Sequence, residues 1–128
     1  MSEYFVYAIG AALVDTEIDV SDDDLDQLSI EKGMMTLVDE ARQAEIKNHL
    51  SYRLSSANHA CGGSAGNSVI AASQFGAPTY MSCLVANDDD GDIYITDLEA
   101  CGVDHGFKGE RSAGTTGKCL VLITPDAE

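Results

Sequence analysis

Cys61-Gly62-Gly63-Ser64-Ala65-Gly66-Asn67-Ser68-Val69-Ile70-Ala71-Ala72-Ser73-Gln74-Phe75-Gly76 opens on a glycine cluster and runs on as a compact apolar segment. Val69, Ile70, Ala71, Ala72 and Phe75 leave only Ser68, Ser73 and Gln74 polar in its body, the pattern of a helix buried on most faces against a sheet. Gly76 suits the position just past a helix end, and Pro78 stops the helix from resuming. The upstream glycines let the backbone take positive φ and approach a ligand with no Cβ in the way. Asn67, at the helix entrance, can cap the helix or offer its amide to a bound hydroxyl. Two readings stay open on glycine content alone: a structural tight turn before a buried helix, or a binding turn. A phosphate-cradling P-loop is excluded, because Asn67-Ser68 follows Gly66 where a lysine would be needed. The spacing of Gly62, Gly63 and Gly66 does not match the dinucleotide fingerprint either.

The rest of the chain narrows the class. Its 22 Asp and Glu against 7 Lys and Arg give a net charge of −15 over 128 residues. That balance argues against nucleic acid or an anionic membrane surface as partner. One domain's worth of residues is present, with no apolar run of membrane-spanning length and no basic leader, so the cytoplasm is the expected location. Cys61, Cys83, Cys101 and Cys119 are widely separated and form no C-x-x-C pair. His49, His59 and His105 do not fall at zinc-ligand spacing, and His59-Ala60-Cys61 offers two ligands at most. Buried reduced thiols are expected rather than a metal site or disulfide. In Asn87-Asp88-Asp89-Asp90-Gly91-Asp92, setting Gly91 at loop position six puts Ala86 first and Asp97 twelfth, so a calcium loop is excluded. The acidic run reads instead as the start of a helix carrying Tyr94, Leu98 and Cys101 on one face and closed by Gly102.

Tyr4–Ile9 is a continuous apolar run ending at Gly10, as in a strand buried on both faces. Asp15 is the first carboxylate beyond it, either a binding carboxylate at the ligand end of an open sheet or a solvent-exposed loop aspartate. Thr16–Val20 alternates as a half-buried strand, Ser21 opens an acidic helical turn that Gly33 ends, and Met34–Val38 reads as a strand. Asp39 caps a helix from Glu40 to Leu50, and Tyr52–His59 is expected to be extended. Thr79–Val85 and Thr115–Thr124 are further strands. Strands alternating with helices predict an α/β fold with a mainly parallel sheet. Thr16–Val20, Met34–Val38 and Thr116–Ile123 are candidates for a small accessory sheet over a cleft, a lid.

With its closing glycine, the G-G-S-A-G-N-S stretch resembles the first signature of the ribokinase-like (PfkB) carbohydrate kinases. Ser64 and Asn67-Ser68 look most like their adenosine-kinase branch. Gly10 followed by Asp15, the passage Ile30–Glu40, the acidic turn to Gly91, Ala100-Cys101-Gly102-Val103 and the strand ending Ile123-Thr124-Pro125-Asp126 fall in the family's order. Two positions depart: Ala11 stands where adenosine-type members often carry asparagine, and Ser64 where ribokinase-type members often carry lysine. The resemblance implies the N-terminal part of a three-layer ribokinase-like fold with a mainly parallel sheet and a small β lid. It also implies ATP-dependent phosphorylation of a hydroxymethyl group on a sugar or nucleoside. Asp15 would then accept ring hydroxyls, with Gly62, Gly63 and Asn67 lining the same pocket. ATP and Mg2+ belong to the complete enzyme, and neither they nor the catalytic base are expected on this chain. Residues 1–128 are thus expected to be an incomplete domain, the substrate-and-lid portion, inactive alone and prone to pair through the lid or an exposed sheet surface. The alternative is a non-catalytic ligand-binding or dimerisation module.

Overall fold

The computed structural model describes residues 3–127. Its elements run β1 (Val6–Ile9), β2 (Leu13–Asp19), α1 (Asp22–Leu28), α2 (Glu40–His49), a single 3-10 turn (Leu54–Ser56), β3 (Asn58–Gly62), α3 (Ser64–Gln74), β4 (Thr79–Ser82), α4 (Asp89–Ala100), β5 (Asp104–His105) and β6 (Gly117–Ile123). They form two three-stranded sheets, ordered β1-β4-β5 and β3-β2-β6. The first is parallel, with Val6 opposite Thr79, Ile9 opposite Ser82 and Tyr80 opposite Asp104. The expected α/β architecture is therefore present. The chain divides into two compact units, one joining the residues up to Asp15 with His59–Cys119, the other joining Thr16–Asn58 with the residues from Leu120 onward.

In the first unit a buried cluster of Val14, Cys61, Val69, Met81, Val85, Tyr94, Leu98 and Val103 unites the parallel sheet with α3 and α4. Full burial of each Val, Met or Leu contributes about 1.5–3 kcal/mol. α4 begins as the acidic sequence demands: the Asp88 carboxylate caps it by accepting from the Gly91 N–H at 2.8 Å. The same carboxylate accepts from the Thr116 N–H and hydroxyl at 2.8 and 2.6 Å. Burial draws the Asp88 carboxyl upward, but these bonds outweigh it and leave it below the usual carboxylate range. α3 ends at Phe75, with Gly76 at φ 90° donating to Ser73.

The second unit has its own core of Ile18, Val20, Leu25, Leu28, Ile46 and Leu50. Ser21 and Asp24 form a reciprocal capping box on α1, and Asp39 caps α2 by accepting from the Arg42 N–H at 2.8 Å. Asp24, nearly buried, also accepts from the Tyr52 hydroxyl at 2.5 Å and pairs with Arg53 at 3.0 Å. The Tyr52 bond, then those from Ser21, hold its carboxyl well below the ordinary value, against the opposing effect of burial.

Several expectations are corrected. Met34–Val38 pairs with nothing as a strand: it is irregular and exposed, Met35 by 88% and Leu37 by 93%. Its β-forming residues have no partner strand, and propensity alone does not supply one. The third strand of the accessory sheet is β3, so Tyr52–His59 is a turn running into a strand rather than an extended lead. α1 stops at Leu28, with Ser29 in the left-handed region at φ 52°, and not at Gly33. β1 is not buried on both faces: Tyr7 and Ile9 point outward at 57% and 79% exposure, and Phe5 just before the strand is exposed by 76%. α3 buries only Gly66 and Val69, and Phe75 is exposed.

Candidate functional site

Asp15 and the glycine turn belong to the same unit, and the fold brings them into contact. Asp15 is the third residue of β2, inside a strand rather than in the loop expected after β1, and it is half-buried. β3 ends at Gly62, and Gly63 begins α3 as a cap with no side chain to offer. A Cβ on Gly62 would lie 2.5 Å from both Asp15 carboxylate oxygens. The carboxylate is therefore laid directly over the Gly62 backbone, in the space a side chain there would take. Gly63 adopts φ 87°, a left-handed conformation that disfavours any side chain, and a Cβ there would lie 3.0 Å from the Ala11 carbonyl. Asp15 is therefore a half-buried strand residue and not a solvent-exposed loop aspartate. The turn both precedes a helix and touches a carboxylate, so the structural and the binding readings of the turn each keep their footing.

Asn67 lies inside the first turn of α3 and does not cap it; its N–H donates to the Gly63 carbonyl at 2.9 Å. Its side chain is exposed. Asn67 is thus joined to the turn through its backbone, with its amide directed to solvent. Because Gly63 cannot cap, the first N–H groups of α3 gain no side-chain partner from it, leaving donors at the helix start.

Sequence reasoning missed the residues that hold this turn. The Asp97 carboxylate of α4 accepts from the Cys61 N–H at 2.7 Å, and the Cys61 thiol donates to the Tyr94 carbonyl at 3.2 Å. Burial first, and Asp97 second, push the Cys61 thiol far above its usual range. The Tyr94 phenol is raised likewise, by burial and then by the Cys83 and Cys61 thiols. These cysteines are packing groups, and no disulfide joins any of the four. In the sequence Tyr94 stood out only as one member of an amphipathic helix face and Asp97 only as the last position of an excluded calcium loop; nothing local marked either as a neighbour of the turn. Cys119 in β6 is a further neighbour: loss of hydration and then the Asp15 carboxylate hold its thiol above the usual value. Among the described residues no three His, Cys, Asp or Glu side chains converge as a metal site, and no helix is long and apolar enough to cross a membrane.

The family model of pfkB family carbohydrate kinases matches residues 28–128. No curated protein matches the chain. Among solved structures, a probable sugar kinase protein from Rhizobium etli CFN 42 is 31% identical, with TM-score 0.75 over 98% of this chain and 37% of its own. Adenosine kinase from Sinorhizobium meliloti gives the same identity, score and coverage. The apo adenosine kinase of Trypanosoma brucei brucei is 25% identical, with TM-score 0.81 over 97% of this chain and 38% of its own. The chain therefore spans less than two fifths of the length of these solved relatives.

Proposed function

Because the chain belongs to the pfkB family of carbohydrate kinases, we propose that it forms the acceptor-holding part of an ATP-dependent sugar or nucleoside kinase. The observation that carries this reading is the Asp15 carboxylate laid over Gly62 beside the left-handed Gly63. A carboxylate accepts two hydroxyl hydrogen bonds in fixed directions, as adjacent ring hydroxyls require. The bare glycine backbone lets a ring approach, and the exposed Asn67 amide offers both a donor and an acceptor. Two solved relatives named adenosine kinase favour a nucleoside over a free sugar.

In this reading Asp15 orients the acceptor, Gly62 and Gly63 set how closely it approaches, and Asn67 fixes one more polar group. The strands β2, β3 and β6 would act as a lid that excludes water competing for the phosphoryl group. MgATP supplies the phosphoryl group, but the carboxylate-lined turn lacks the cationic donors that triphosphate binding uses. The MgATP site and the catalytic base would come from polypeptide corresponding to the length of the relatives that this chain does not span, and residues 1–128 would be inactive alone. A cytoplasmic setting, where ATP is abundant, fits the same reading. The outward Tyr7 and Ile9 on one face of a parallel sheet, a sheet type normally covered on both sides, with the exposed Phe5 just before them, favour self-association of the isolated chain.

The test is an ATP-consumption assay on the full-length gene product with adenosine, other nucleosides, ribose and fructose. Turnover with a nucleoside that Asp15→Ala abolishes supports the reading; turnover that Asp15→Ala leaves intact contradicts it.

A further inference from the structure

Tyr94 is the largest fully buried side chain among the described residues, and it meets the glycine turn at both ends. On the upstream side its carbonyl takes the Cys61 thiol, one residue before Gly62. On the downstream side its hydroxyl lies 2.9 Å from the point a Cβ on Gly66 would occupy, beneath the first turn of α3. That hydroxyl is buried and has no partner of hydrogen-bonding geometry among the described residues; the Cys83 thiol, a weak acceptor, is its polar neighbour. A buried hydroxyl without a good partner costs stability, so packing alone would favour phenylalanine here. The same helix turn is held from the sheet side, where a Cβ on Gly10 would lie 2.6 Å from the Ala65 methyl. Two adjacent residues of α3, Ala65 and Gly66, are thus seated without slack, one against β1's end and one against the Tyr94 hydroxyl.

We propose that Tyr94 is a positioning residue for the acceptor site: its hydroxyl sets the height of the α3 first turn, and through it the placement of Gly63 and Asn67. The inference rests on the reading of Asp15 and the glycine turn as that site. Tyr94 is buried and acts through the turn, so its role concerns acceptor affinity rather than the chemical step. Gly66 is the other half of the device. A methyl added at Gly66 collides with the hydroxyl, whereas with phenylalanine at position 94 the nearest remaining ring carbon stands 3.9 Å away, an ordinary contact.

The test is steady-state kinetics of the full-length gene product with adenosine and ATP, for wild type, Tyr94→Phe, Gly66→Ala, the double variant and Asp15→Ala. Gly66→Ala is expected to raise the acceptor KM roughly tenfold, since small misplacements of a binding group are costly. The ATP KM should stay unchanged, and Tyr94→Phe in the same chain should return the acceptor KM towards wild type. Melting temperatures are recorded alongside. Tyr94→Phe alone should not lower the melting temperature, because it removes a poorly partnered hydroxyl. An acceptor KM unmoved by Gly66→Ala, or a shift that Tyr94→Phe does not reverse, overturns the positioning role while Asp15→Ala still shows the acceptor site. If Asp15→Ala itself leaves the acceptor KM unchanged, the site reading falls and this inference with it. Should Gly66→Ala fail to fold, Tyr94→Phe decides alone: a changed acceptor KM with unchanged ATP KM supports the role, and no change overturns it.

Discussion

The two units spend their acidic residues differently. In the first, Asp97 accepts from the Cys61 N–H, while Asp15 lies over bare glycine backbone with no hydrogen-bond donor on its oxygens among the described residues. In the second, Asp24 is saturated: Ser21, Tyr52 and Arg53 all converge on it, and Lys32 joins Asp22 to Asp126 at 3.1 and 2.6 Å. A carboxylate whose lone pairs are already satisfied supports the fold, and one held in place with lone pairs to spare is available to a ligand. Substitution of Asp15 in the first unit should therefore move ligand affinity, and substitution of Asp24 in the second, like that of the saturated Asp88 in the first, should move stability.

The largest effect is expected at the turn. Gly62→Ala must displace the Asp15 carboxylate, because the new methyl would sit 2.5 Å from both oxygens. The carboxylate can swing aside at little cost to the fold, so Gly62→Ala should imitate Asp15→Ala. Each is expected to weaken nucleoside binding by roughly 100-fold, the worth of two hydrogen bonds to a charged group. Calorimetric titration of both variants checks this, and a Gly62→Ala protein that binds normally would separate the turn from the site.

Next comes the saturated carboxylate. Asp24→Asn should cost about 2 kcal/mol of stability, read from denaturant unfolding, and leave nucleoside affinity alone. The folded pKa of Asp24 is depressed, so its contribution is fully present above the ordinary carboxylate value, about 4, and is lost as pH falls below it. Melting followed from pH 7 to pH 3 should show a decline at the acidic end that is shallower for Asp24→Asn than for wild type. A decline of equal steepness would remove Asp24 from the explanation.

Self-association comes third. Wild type should sediment as a concentration-dependent oligomer, and Tyr7→Lys with Ile9→Lys should shift it to monomer. A wild-type monomer at every concentration would show that the outward face of β1 does not self-pair. The smallest effect is expected at Ser29, held at φ 52°, where glycine removes the left-handed penalty. Ser29→Gly should raise stability by about 0.5 kcal/mol, read from the same denaturant unfolding.

What the sequence made legible follows from which constraints are local. The caps Ser21, Asp39 and Asp88, the glycine at the end of α3 and the glycine turn before it all express backbone rules acting within a few residues. Asp15 and Gly62 were singled out separately, and the fold places them in contact. Illegible were features set by distant partners. Met34–Val38 has strand propensity but no strand to pair with, whereas Asn58–Gly62 looked like a connector and became β3. The outward face of β1 reads as buried because an apolar run does not say what covers it. Tyr94 and Asp97 meet the turn across a separation of 33 and 36 residues from Cys61, which no local pattern encodes.

The most direct measurement is amide chemical-shift mapping of isotope-labelled residues 1–128 titrated with adenosine, repeated on Asp15→Ala. Shifts centred on Gly62, Gly63 and Asn67, present in wild type and absent in the variant, are the expected result. Shifts confined to the cleft of about 310 Å³ between Glu99 and Lys108, or a turn unmoved by any nucleoside, would contradict an acceptor site at Asp15 and the glycine turn.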